Sequence, residues 1–151
     1  MITICDKSCE TLWGNTSAKL LDRTTKLQKR AIRTVTKSAY NANTAPLFKA
    51  NNIMSLPKIY KFETLKLMHS IFNQYCPSKL SEPFIRNLDI HHHHTRQVNN
   101  LFIQMRRSHK IGTSILHAGP KMWTALPPEL KSNTSKHSFK RQIKKEILKY
   151  E

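Results

Sequence analysis

Glycine is scarce in this chain, with only Gly14, Gly112 and Gly119 among 151 residues. A glycine-rich turn repertoire is therefore missing, and helices joined by proline-marked turns become the default architecture. Acidic residues are scarce too, 9 Asp and Glu against 26 Lys and Arg. They are dispersed singly as Asp6, Glu10, Asp22, Glu63, Glu82, Asp89, Glu129, Glu146 and Glu151, so the sequence has no Asp-Asp pair of the kind that two-metal nucleotidyl transfer needs. Cysteine is limited to Cys5, Cys9 and Cys76, an odd number without regular spacing. That argues against a disulfide framework and predicts free thiols in a reducing compartment. Long apolar runs are absent as well: stretches such as Leu101-Phe102-Ile103 fall far short of the ~18 residues that span a bilayer. Met1 is not followed by a basic-then-apolar signal pattern. The expectation is a soluble intracellular protein, nuclear or cytoplasmic, with no membrane contact.

What is abundant is positive charge. At this length the chain builds one modest core, hence a single domain or one piece of a larger protein. A formal charge of +17 makes a compact fold repel itself unless a polyanion neutralises it. The phosphate backbone of RNA or DNA is the natural partner.

Helical periodicity organises most of the sequence. From Ser17 to about Ser38, Leu20, Leu27, Ala31 and Val35, flanked by Leu21 and Ile32, predict an apolar stripe facing the core. Lys19, Arg23, Lys26, Lys29, Arg30, Arg33 and Lys37 form a cationic rail opposite, with Asp22 the single acid. Thr44 and Pro46 open a short helix ending near Asn51-Asn52, and Ser55 and Pro57 open the next, which runs to about Gln74. Its apolar residues Tyr60, Leu65, Leu67, Met68, Ile71 and Phe72 form a broad surface suited to packing between two neighbours. Cys76-Pro77 breaks it, and Leu80, Pro83 and Phe84 predict a compact turn. At most one or two short strands are expected between Leu88 and Arg107. Thr113 to about Leu126 reads as a helix containing Pro120, ended by Pro127-Pro128. Ser135 then caps a terminal helix with a stripe of Phe139, Ile143 and Ile147, the rest covered by Lys136, Lys140, Arg141, Lys144, Lys145 and Lys149. Asn15-Thr16-Ser17 and Asn133-Thr134-Ser135 match a glycosylation pattern but read as helix-start chemistry without a secretory signal.

The chemically suggestive clusters are weak on geometry. In a strand adjacent rings of His91 to His94 point to opposite faces, and in a helix only His91 and His94 share one, so at most two could hold one ion. Cys5 and Cys9 fit one helical turn, but nothing nearby completes four zinc ligands. No glycine-rich phosphate loop and no Gly-x-Ser-x-Gly elbow occurs. No metal, no cofactor and no enzyme activity is expected.

An ordered series of short motifs remains: Trp13-Gly14, Leu27-Gln28-Lys29-Arg30-Ala31-Ile32-Arg33, Pro46-Leu47-Phe48, His94-Thr95-Arg96, Gly119-Pro120-Lys121-Met122-Trp123, Leu126-Pro127-Pro128-Glu129-Leu130 and Ser138-Phe139-Lys140. In order and spacing it resembles the carboxy-terminal segment of non-LTR (LINE-type, jockey-like) retrotransposon reverse transcriptases, from about Leu12 to Leu148. The resemblance implies an endonuclease and a polymerase with its Asp-Asp upstream in a full-length relative, and contact with template or target nucleic acid for this segment. It also implies that Met1 marks a truncated copy or an internal start. Some related elements end in a cysteine-histidine knuckle; after Cys9 the ligand positions hold Ser17 and Asp22, so zinc is not carried over.

The sequence thus predicts a mainly α, irregular domain of about four to six helices over residues 1–151, poorly ordered over 1–12, lying C-terminal to an absent polymerase domain. Its function is expected to be noncatalytic grip on RNA or DNA phosphates through Lys26, Lys29, Arg30, Arg33, Arg96, Arg106, Arg107, Lys140, Arg141, Lys144 and Lys145. Two alternatives stand beside it: a helix-turn-helix regulator that reads bases, and a scaffold whose apolar faces dock on upstream polymerase domains.

Overall fold

The structure, a computed structural model, describes residues 18–90, 100–103 and 114–149. Among them are eight helices: α1 (Ala18–Val35), α2 (Thr44–Ala50), α3 (Leu56–Phe72), α4 (Ser78–Ser81), α5 (Asn87–Ile90), α6 (Ile115–Thr124), α7 (Pro128–Lys131) and α8 (Lys136–Lys149). Three of these, α4, α5 and α7, are single turns, so the number exceeds the expected four to six only by elements too short to carry a periodic signal. The strand expectation reduces, among the described residues, to one antiparallel bridge between Arg86 and Leu101. It is made by Asn87 N–H to the Asn100 carbonyl and Phe102 N–H to the Ile85 carbonyl. Residues 1–12, Cys5, Cys9, the Asn15-Thr16-Ser17 start and His91 to His94 lie outside the described residues.

Glycine scarcity did not remove left-handed helix ends. Lys37, Asn52 and Gln74, each two residues beyond α1, α2 and α3, have φ of 50°, 52° and 60°. At each, two backbone bonds reach back over the last turn: Lys37 N–H to Thr34 O and Ser38 N–H to Arg33 O, Asn52 to Lys49 and Ile53 to Phe48, Gln74 to Ile71 and Tyr75 to Ser70. These are Schellman caps built without glycine, and they satisfy carbonyls the helices leave open. The left-handed conformation costs a side-chain-bearing residue roughly 1–2 kcal/mol.

Helix α3 is the hub, packed by α1 on one flank and by α6 and α8 elsewhere. That accounts for its broad apolar surface. Phe62, Leu65, Met68 and Ile71 are buried in one cluster with Leu101, Trp123, Phe139, Ile143 and Ile147, while Tyr60 and Leu67 are half-buried. Gly119 permits the close approach of α6, since a Cβ there would stand 2.7 Å from Met68 Sδ. Helix α6 runs through Pro120, which is buried and cannot donate to the Leu116 carbonyl. Arg86 braces the other end of α3, donating from Nη2 to the Phe72 carbonyl at 2.8 Å with its guanidinium 4.8 Å from the Phe72 ring.

The core face of α1 differs from the expected one. Leu20, Leu27 and Val35 are 52%, 61% and 77% exposed, and Ala31 is exposed too. The contact face is instead Leu21, Thr25, Gln28 and Ile32, of which only Ile32 is fully buried. Gln28 explains the rotation. Its side-chain amide donates to the Met54 carbonyl and accepts the Leu56 N–H, both at 2.9 Å, tying α1 to the start of α3. Ser55, expected to cap α3, makes no side-chain cap bond; Gln28 does that work from another helix.

The start of α8 is pinned to α3 by His69, which is 1% exposed. Its Nε2 lies 2.7 Å from the Asn133 carbonyl, and its ring stacks on Phe139 at 4.1 Å between centroids. Tyr75 adds a bond from its hydroxyl to the Thr134 carbonyl at 3.1 Å. Burial, and secondarily the positive charge of Lys136, pushes the His69 pKa below the usual histidine value, the bond to Asn133 opposing them. A depressed folded pKa means the unfolded chain takes up the proton first as pH falls below about 6.5. Stability supplied by neutral His69 is complete above that pH and is lost toward the folded pKa, with a slope of at most about 1.4 kcal/mol per pH unit. Urea midpoints should therefore drop between about pH 7.5 and about pH 5.5, and drop less in His69→Phe. An equal drop in both proteins would assign the effect to other histidines.

Candidate nucleic-acid interface

Helix α8 separates seating from charge by its periodicity. Phe139, Ile143 and Ile147 recur every fourth residue and so share one face, and they are 1%, 0% and 5% exposed. The intervening Lys140, Arg141, Lys144 and Lys145 are all exposed, as are Lys136 and Lys149. None of these six forms an ion pair among the described residues. The helix start follows the expected chemistry: Asn133 Oδ1 accepts the Ser135 N–H at 3.2 Å, and Ser135 Oγ accepts the Ser138 N–H at 3.5 Å. Asn133 Nδ2 also donates to Ser138 Oγ and Gln142 Oε1.

Helix α1 is less uniform. Lys29 and Arg30 are exposed. Lys26 is exposed but shares its charge with Asp22 at 2.7 Å. Arg33 is half-buried, and its Nε donates to the Ala42 carbonyl at 2.9 Å, fastening α1 to the segment before α2. Arg96, Arg106 and Arg107 lie outside the described residues.

Comparison with protein-family models, curated proteins and solved structures finds no match to this chain.

Packing adds a basic feature that periodicity could not reveal. Lys61 on α3 and Lys121 on α6 stand beside an open groove of about 450 Å³ floored by Ala118, Met122, Ala125 and Leu126, with His117 in its wall. Those two lysines are sixty residues apart in sequence and come to one groove because α6 packs on α3, a close approach that Gly119 permits. By contrast Lys131 is engaged with the fold, donating to the Thr124 carbonyl at 2.9 Å, with its pKa lowered by burial. Acidic residues are few, with Glu82, Asp89 and Glu129 exposed. Glu63 is bound to Lys66 at 2.6 Å, Asp22 is bound to Lys26, and Glu146 on α8 is half-buried. Among the described residues no three His, Cys, Asp or Glu side chains come close enough to hold a metal ion, and no helix is long and apolar enough to cross a membrane. The arrangement suits attraction of a polyanion through many point charges. Lysine predominates over the planar guanidinium that reads guanine edges.

Proposed function

We propose that this protein binds RNA or DNA through its phosphates, with α8 as the principal contact and Lys29 and Arg30 of α1 as a second, and that it does no chemistry of its own. The observation that carries the reading is α8 itself: three buried side chains hold it on the body while Lys140, Arg141, Lys144 and Lys145 stand in solvent with no carboxylate partner among the described residues. Charges fixed on a seated helix lose less freedom on binding than charges on a free tail. The resemblance to the carboxy-terminal segment of non-LTR retrotransposon reverse transcriptases supports the same reading, with template or target nucleic acid as the ligand and upstream polymerase domains of a related polyprotein as neighbours. Dispersed carboxylates support the noncatalytic part.

The test is a salt titration with labelled duplex DNA and single-stranded RNA oligonucleotides of unrelated sequence, followed by fluorescence anisotropy. Binding should be similar across sequences, and log K should fall linearly with log salt by about 0.9 per phosphate contact on duplex DNA and about 0.7 on single strands. Affinity that is insensitive to salt would defeat the proposal. Strong preference for one sequence would transfer the case to the helix-turn-helix alternative.

A further inference from the structure

The exposed apolar residues of α1 are not scattered. Leu20, Thr24, Leu27, Ala31 and Thr34 follow one another at spacings of four, three, four and three, the repeat of a coiled-coil seam, and all five are exposed. The two threonines do not spoil it. Thr24 Oγ1 donates to the Leu20 carbonyl at 3.0 Å and Thr34 Oγ1 to the Arg30 carbonyl at 3.1 Å, so drying the seam strands neither hydroxyl.

One edge of the seam carries Arg23 and Arg30, seven residues apart, and Lys37 follows at the same interval just past the helix end. The other edge is Leu21 and Gln28, which are half-buried, Gln28 being bonded to Met54 and Leu56 at the start of α3. A helix lying on the seam therefore meets the protein body on one side and positive charge on the other. A second copy of this chain does not fit: side by side antiparallel, the two basic edges would face each other, and parallel packing would require the edge already occupied by the body.

We infer that the seam Leu20, Leu27 and Ala31 with its basic edge Arg23 and Arg30 is a docking groove for an amphipathic helix of another protein, apolar along its seam and acidic along the facing edge. The site shares Arg30 with the second nucleic-acid contact proposed above but uses none of α8, so the leucine variant, which leaves Arg30 in place, tests the two readings apart.

The full chain is titrated into a fluorescein-labelled synthetic peptide of about three heptads, with Leu at both seam positions and Glu at the flanking positions. It should bind, and Leu20→Ser with Leu27→Ser should weaken binding at least about tenfold. Helicity by circular dichroism should be unchanged, because both leucines are more than half exposed. Arg23→Gln with Arg30→Gln should also weaken it, while a peptide with Lys at the flanking positions should not bind. Oligonucleotide binding should be unaltered in the leucine variant. Four results would overturn the inference: equal binding of the wild-type and leucine-variant chains, equal binding of a Glu-rich peptide with Ser along its seam, self-association of the chain that the leucine variant abolishes, or leucine-dependent binding of phosphatidylserine vesicles in place of the peptide.

Discussion

Replacing Lys140, Lys144 and Lys145 with Gln should weaken binding to every oligonucleotide sequence alike, by roughly a hundredfold near physiological salt if each lysine neutralises one phosphate. The figure follows from counterion release: three lost contacts remove about 2 to 3 from the log-log salt slope. Wild type and variant should therefore converge at high salt, where there is little counterion entropy left to gain. Helicity should survive, since Gln forms helix nearly as well as Lys and all three positions are exposed. Unchanged salt dependence in the variant would remove α8 from the interface. Selective loss of one sequence would mean that these residues read bases.

Phe139→Ala should cost about 3–5 kcal/mol, read as a fall in the urea midpoint at constant m-value. Phe139 is 1% exposed, stacks on His69, and lies 5.9 Å from the Trp123 ring, so truncation opens a cavity and removes a ring that three elements share. Against a folding free energy of about 5–15 kcal/mol, such a loss is a large fraction of the total. Nucleic-acid affinity should fall with it, but through loss of helicity, which the lysine variant keeps. Phe139→Leu retains most of the volume and should cost less. A cost below about 1 kcal/mol for Phe139→Ala would mean that α8 is not seated as described.

Prolines, short polar caps and the four-residue recurrence of Phe139, Ile143 and Ile147 made the helices, and the charged side of α8, legible in the sequence. The orientation of α1 was not. Leu20, Leu27, Ala31 and Val35 form the more hydrophobic line, yet the body is joined through Gln28, a polar residue whose two hydrogen bonds end on Met54 and Leu56. Periodicity weighs hydrophobicity and has no access to a partner 26 residues away. His69 was missed for a related reason. Its place in a stack with Phe139 depends on how α8 returns to α3, and nothing local distinguishes it from a surface histidine. Of the basic residues, Lys29 and Arg30 stand exposed as anticipated, whereas Arg33 is turned to the Ala42 carbonyl, a bond set by the chain reversal after Lys37.

The hub position of α3 sets an order of assembly. Its contacts with α1 cross only the connection through α2, so that flank closes over short loops at small entropic cost. Its other contacts wait for partners far along the chain: Trp123 on α6 and Phe139, Ile143 and Ile147 on α8 complete the same cluster as Phe62 and Leu65. During synthesis the helix emerges with Phe62, Leu65, Met68 and Ile71 still uncovered, and they are covered only once α6 and then α8 have followed. Native packing of this cluster therefore lags the synthesis of α3, and meanwhile the nascent chain exposes a sticky apolar face next to a strongly cationic one, the condition in which holding chaperones or bound polyanions decide between folding and aggregation.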